Sequence, residues 1–146
     1  MDKDSLIVKK VDPEDGSIRW YLGDVLHRED GPAVIYSDGY QVWYQNGLLH
    51  RADGPAIIRR NGTQEWFING LRHREDGPAV IYLYGYQAWY QDGRLHRADG
   101  PAVTCPDGLQ EWWFNGLLHR EDGPAVTWYD GKEEWRLNGV RQSPPE

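Results

Sequence analysis

The sequence predicts an all-β fold: an elongated antiparallel β-meander or hairpin repeat array with 23-residue repeats and no significant helix. Two observations carry this. Trp20, Trp43, Trp66, Trp89, Trp112 and Trp135 fall at a constant spacing of 23 residues, as do Gly16, Gly39, Gly62, Gly85, Gly108 and Gly131. Such self-similarity is the signature of a repeat architecture. Gly and Pro turn signals also recur every 5 to 10 residues, too often for helices of ordinary length. The segments between them are β-branched and aromatic, as strands prefer.

Each element follows from local chemistry. In one repeat the first strand is Ala33 to Tyr36, and Ser37-Asp38-Gly39 makes a three-residue hairpin loop with Gly at the left-handed position. The second strand is Tyr40 to Gln45, closed by Asn46-Gly47, a strong two-residue hairpin signal. The third is Leu48 to Arg51. Asp53-Gly54-Pro55 then turns into the next repeat, with Asp capping and Gly supplying an unusual dihedral. Counting across these loops sets Ala33 opposite Trp43 and Trp43 opposite His50. The same rows recur at Ala56–Trp66–His73, Ala79–Trp89–His96 and Ala102–Trp112–His119. A broad indole between a small neighbour and a flat one accounts for them.

The array is expected over residues 16–141, with a degenerate N-terminal cap at 1–15 and a tail at 142–146. A 46-residue similarity overlies the shorter period. Residues 29–74 match 75–120 at 32 of 46 positions, whereas 29–51 match 52–74 at 13 of 23. Either a 46-residue pair was duplicated, or three strands per repeat make successive repeats run in opposite directions. In the second case equivalent turns alternate between the edges of the sheet.

Net charge is −7, with 23 acids interspersed among 16 basic residues. This works against nonspecific binding to nucleic acid or acidic lipid. No apolar run reaches the length of a membrane span, and the N-terminus lacks the pattern of a signal peptide. With Cys105 as the sole cysteine, no internal disulfide forms, and a reducing, cytoplasmic setting is expected.

The repeated HR(E/A)DGPA motif, the Asn-Gly turns and the aromatic strands at 23-residue spacing resemble MORN-like repeats of the looser phage and bacterial type, over roughly residues 16–140. That resemblance implies elongated antiparallel hairpin sheets. It also implies a protein-binding role, of the kind held by antitoxin-component-like proteins or phage inhibitors of a host system. Trp and His stand here where the standard repeats favour Tyr and Gly.

Among candidate sites, His27, His50, His73, His96 and His119 each precede Arg and stand three residues before Asp. Repeats about 10–14 Å apart cannot share one metal ion among neighbouring His. The columns therefore read as structural, with His packed on Trp, and neither metal nor cofactor is expected. No catalytic motif occurs, and five equal copies of an acid mark architecture rather than an active site. Arg74 and Arg120 are expected to pair with Glu65 and Glu111 across strands. Arg51 and Arg97 lack that acid and, if the Asp turns do not hold them, are candidate anion ligands. Partner binding is expected where the consensus is broken: Tyr36, Tyr40, Tyr44, Arg51, Tyr82, Tyr84, Tyr86, Tyr90, Arg97, Trp113 and Trp128. The main expectation is a non-enzymatic scaffold for a protein partner, host or toxin-like. The alternative is a protein that binds or sequesters a small molecule or nucleotide through Arg, His and aromatic grooves. Homo-oligomers are possible, but Lys9-Lys10 and Pro144-Pro145 resemble edge protection and lean toward a monomer.

Overall fold

A computed structural model describes residues 6–146. The described residues are all β, with short antiparallel strands and no helix. Contacts divide the chain into two compact units, the first ending at Leu71 and the second beginning at Arg72. No helix among the described residues is long and apolar enough to cross a membrane.

The first unit opens with Ile7–Val11 paired to Ile18–Leu22. The ladder continues through Val34–Ile35, Gln41–Val42, Ile57–Ile58 and Gln64–Glu65. The second unit repeats the pattern from Val80–Ile81 through Gln87–Ala88, Val103–Thr104, Gln110–Glu111 and Val126–Thr127 to Glu133–Leu137, with Val140–Gln142 pairing last. Each 23-residue repeat thus gives two strands to the ladder. Its third segment folds back in a separate short hairpin, Tyr44–Gln45 with Leu48–Leu49 in one repeat and Tyr90–Gln91 with Arg94–Leu95 in another.

This corrects the three-strand meander. With an even number of ladder strands per repeat, the three-residue turns all fall on one edge of each unit. The Asn-Gly hairpins and HR(E/A)DGPA loops connect strands at the other edge. The 46-residue similarity is therefore no consequence of alternating strand direction.

Trp43 is the joint between the two systems. Its N–H donates to Ala56 O at 2.7 Å, while its carbonyl accepts from His50 N at 3.1 Å. The other described joints repeat this; Trp112 N–H reaches Ala125 O and Trp112 O receives His119 N. The pairing Val34↔Val42 extends directly to Ala33 opposite Trp43, as the sequence predicts. Ala33, Ala56, Ala79, Ala102 and Ala125 are wholly buried. A larger side chain at any of them meets a closed wall.

Both hairpin types take the expected conformations. Asn46 and Gly47 have φ of 50° and 76°, the double left-handed turn that suits a two-residue hairpin. Gly39 at φ 89° closes the three-residue loop, with Gly39 N–H donating to Tyr36 O and Tyr36 N–H to Tyr40 O.

The Asp-Gly-Pro glycines are different. Gly31, Gly54, Gly77, Gly100 and Gly123 are absent from the left-handed region. A Cβ on Gly54 would lie 2.9 Å from the Arg51 guanidinium carbon. Glycine stands there so that an arginine can approach the backbone, which corrects the expectation of an unusual dihedral.

The core is thin and lies mostly on the Val34 face. Val34, Val42, Ala56, Ile57 and Phe67 pack with Leu26, Tyr36, Tyr40, Trp43, Tyr44 and Leu49 in the first unit. Val80, Ala88 and Val103 pack with Tyr86, Tyr90, Leu95, Cys105 and Trp113 in the second.

Candidate functional site

The histidines are fixed by a single recurring bond. His27 Nδ1 accepts the Asn46 N–H at 2.9 Å, nineteen residues on, and His50 accepts from Asn69 at 3.0 Å. His73, His96 and His119 accept likewise from Asp92, Asn115 and Asn138. Each imidazole therefore holds the first residue of the next repeat's Asn-Gly or Asp-Gly turn, and does so with Nδ1 unprotonated. Where the repeat carries Glu, that acid lies near the other ring nitrogen: Glu29 to His27 at 3.6 Å, Glu75 to His73 and Glu121 to His119 at 3.8 Å. Part of the 46-residue alternation thus marks which histidines have a carboxylate at Nε2.

The arginines are fully engaged. Arg51 Nε donates to Asp53 Oδ1 at 3.1 Å and Nη1 to Pro55 O at 3.1 Å, with the guanidinium 4.0 Å above the Trp43 ring. Arg97 repeats this on Asp99, Pro101 and Trp89. The Asp turns hold both, so the condition under which they were candidate anion ligands fails. Arg120 donates to Asp122 and Pro124 O, and Glu111 accepts from Trp113 Nε1, which corrects the expected Arg120–Glu111 pair. Arg74 donates to Asp76 and Pro78 O in the same way. At Trp20, Trp43, Trp89 and Trp112 the flat neighbour is such a guanidinium rather than the His ring. The Asp30 carboxyl is held below the usual range by its hydrogen bond from Arg28.

The predicted partner-binding aromatics separate into two groups. Tyr36 and Tyr40 stack at 4.8 Å, and Tyr82 and Tyr86 at 5.2 Å, as cross-strand pairs. Tyr36, Tyr40, Tyr44, Tyr86, Tyr90 and Trp113 are half-buried against the cores. Burial pushes the Tyr86 hydroxyl up to about 12 and raises Tyr40 and Tyr44 as well. Tyr82, Tyr84 and Trp128 are exposed. So are Leu83 and Tyr129, which the sequence pattern did not single out as site residues. Tyr84 is 85 % exposed and Tyr129 74 %.

Leu83, Tyr84 and Tyr129 lie on three-residue tips of the second unit, and Tyr82 and Trp128 sit at the strand ends that flank them; the two tips are the first and third of three in succession. A Cβ on Gly85 would lie 3.3 Å from Pro106 of the next tip, and one on Gly108 would lie 3.9 Å from Tyr129 of the tip after that. The corresponding first-unit tips carry Ser37-Asp38 and Arg60-Asn61. A signal was available: aligning the repeats on their tip glycines shows aromatic and apolar residues displacing polar ones only after residue 82.

Two grooves lie between successive HR(E/A)DGPA loops. One, of about 590 Å³, is lined by Trp43, His50 and Arg51 together with Glu29 and Asp30. The other, of about 550 Å³, is lined by Trp112, His119 and Arg120 with Asp99 and Glu121. Among the described residues no cluster of His, Cys, Asp and Glu converges as a metal site. Burial raises the Cys105 thiol, which makes it a poor nucleophile. Neither a scan against protein-family models nor a search of curated proteins returns a match to this chain.

Proposed function

We propose that the chain is a non-enzymatic β-repeat scaffold that binds a protein partner in the cytoplasm. The observation that carries this reading is the exposure of Leu83, Tyr84, Trp128 and Tyr129 at the first and third of three successive tips of the second unit, with Pro106 on the tip between them. Large aromatic side chains held out by a rigid sheet lose little entropy on binding and are frequent anchors of interfaces. The repeated polar residues are committed to the framework: five His to backbone amides, and Arg to Asp and Pro carbonyls. The MORN-like motif adds the role, that of an antitoxin-like factor or a phage-encoded inhibitor of a host system.

Capture from bacterial lysates tests the reading, with the natural chain and a Tyr84→Ser/Tyr129→Ser variant as baits. A protein retained by the first and lost by the second, with the variant still folded, is the expected result. Identical retention by both baits refutes the role of the tips.

The inter-repeat grooves favour a second reading, a small-molecule or nucleotide binder. Each pairs an indole with a histidine and three carboxylates, and its two arginines are already paired with aspartates. Thermal-shift measurements with nucleotides and sugars decide it: a melting point raised by one of them, and not raised in a His119→Phe variant, supports groove binding.

A further inference from the structure

The three-residue tips share a device that is broken once. Asp15 Oδ1 accepts from Ser17 N–H at 2.8 Å, and Asp38 Oδ1 from Tyr40 N–H at 2.9 Å. Asn61 accepts from Thr63, Asp107 from Leu109 and Asp130 from Lys132, at 3.0, 3.0 and 3.1 Å. In each, a side-chain oxygen ties down the backbone amide two residues on, which is why Asp and Asn suit such turns. The sixth tip has Tyr84 at this position. A phenol cannot make that short bond, so the tip forgoes a local stabilisation its five counterparts have. In exchange it carries the most exposed aromatic of the described residues, beside exposed Leu83. A position that breaks a local rule without a structural gain points to function.

The charge around this cluster names the partner's chemistry. The next two tips hold Asp107 and Asp130, and Lys132 and Glu133 follow the last of them, the Lys132 ammonium 2.9 Å from Asp130. The Asp130 carboxyl is held below its ordinary value by its hydrogen bond from Lys132. The whole chain carries −7. Exposed phenol and indole faces on an acidic chain attract guanidinium and ammonium groups through the ring quadrupole and through charge together.

Resting on the protein-partner reading above, we infer that the second unit's tips, centred on Tyr84 and Tyr129, dock a basic, arginine- or lysine-bearing segment of that partner.

Tyr84→Asp provides the test, because it restores the missing amide cap and adds negative charge while removing the ring. The probe is a fluorescein-labelled alternating arginine–glycine peptide, with an alternating glutamine–glycine peptide as the neutral control, at about 0.15 M salt. The natural chain is expected to bind the arginine peptide and not the control. Tyr84→Asp is expected to melt higher and yet bind the arginine peptide about two- to fivefold more weakly, the range of an exposed cation–π contact. Unchanged or tighter binding by Tyr84→Asp overturns the inference, since charge alone then explains the affinity. Equal binding of the glutamine peptide also overturns it, as does self-association that sedimentation shows to be lost in Tyr84→Asp. If lysate capture depends on Tyr84 while the arginine peptide fails to bind, the scaffold reading stands and the basic partner is wrong.

Discussion

At the residue scale the histidine is the clearest case of a side chain standing in for backbone. His50 occupies the place of an acceptor carbonyl for Asn69 N–H, so His50→Phe keeps a flat ring but strands that donor. A loss of about 0.5–1.5 kcal/mol in urea unfolding is expected, with faster amide exchange at Asn69. Gly54→Ala is a second residue-scale test. Its backbone tolerates alanine, but the new Cβ displaces the Arg51 guanidinium from Asp53, Pro55 and Trp43. A cost of about 1 kcal/mol or more is expected in the same measurement, larger than a propensity argument for Gly→Ala would give. The column of histidines and the row opposite tryptophan were legible in the sequence. The acceptor role was not, because the bond joins residues nineteen apart and neither partner is unusual in its own repeat. The aspartate of the HR(E/A)DGPA motif reads as a turn cap in the sequence for a similar reason: only the folded loop brings the Arg Nε onto it.

At the element scale the tip hairpins and the HR(E/A)DGPA loops respond to pH through different side chains. Burial raises Tyr86 to about 12 from an ordinary 10. Its neutral form is therefore favoured by folding; the stability is fully present below pH 10 and is lost as the pH rises through about 12. Tyr86→Phe is expected to flatten the fall in urea midpoint between those values. Asp30 shifts the other way, held down by Arg28. Its contribution is present above the ordinary value of 3.8 and is lost as the pH falls below it, so Asp30→Asn should reduce the slope of the acid limb. The turns themselves were readable from Asn-Gly and from the tip glycines, and Asn46 at φ 50° is where they place it. What the pattern could not reveal is that Tyr40 to Gln45 is one extended segment serving two ladders. Alternation of side chains continues through Trp43, and only the hydrogen bonds of that residue change direction.

At the scale of the whole molecule, two ladder strands per 23-residue repeat mean that one repeat can be removed without reversing the strands after it. Excision of residues 98–120 from the second unit should leave a β-rich circular dichroism spectrum with a lower melting point; a chain that fails to fold would restore the 46-residue unit as the structural one. Packing between segments decides the fate of the aromatic site prediction. From sequence, the tyrosines near strand ends formed one pool. The fold sends Tyr36, Tyr40, Tyr44, Tyr86, Tyr90 and Trp113 inward and leaves Tyr82, Tyr84 and Trp128 on one unit's tips. Which member of the pool is buried depends on the short hairpin packed over the Val34 face, a contact between segments that no single repeat encodes.

Because the tip glycine and the amide cap hold most three-residue loops locally, the first residue of each loop is free to vary without disturbing the ladder, and at Tyr84 the cap position itself is given up at a local cost. Within each unit these loops also stand side by side from repeat to repeat. The edge is thus a line of interchangeable letters on a fixed frame. Moving Leu83-Tyr84 into the place of Ser37-Asp38 should transfer recognition to another address on the chain, and a longer array would spell a longer message with the same alphabet.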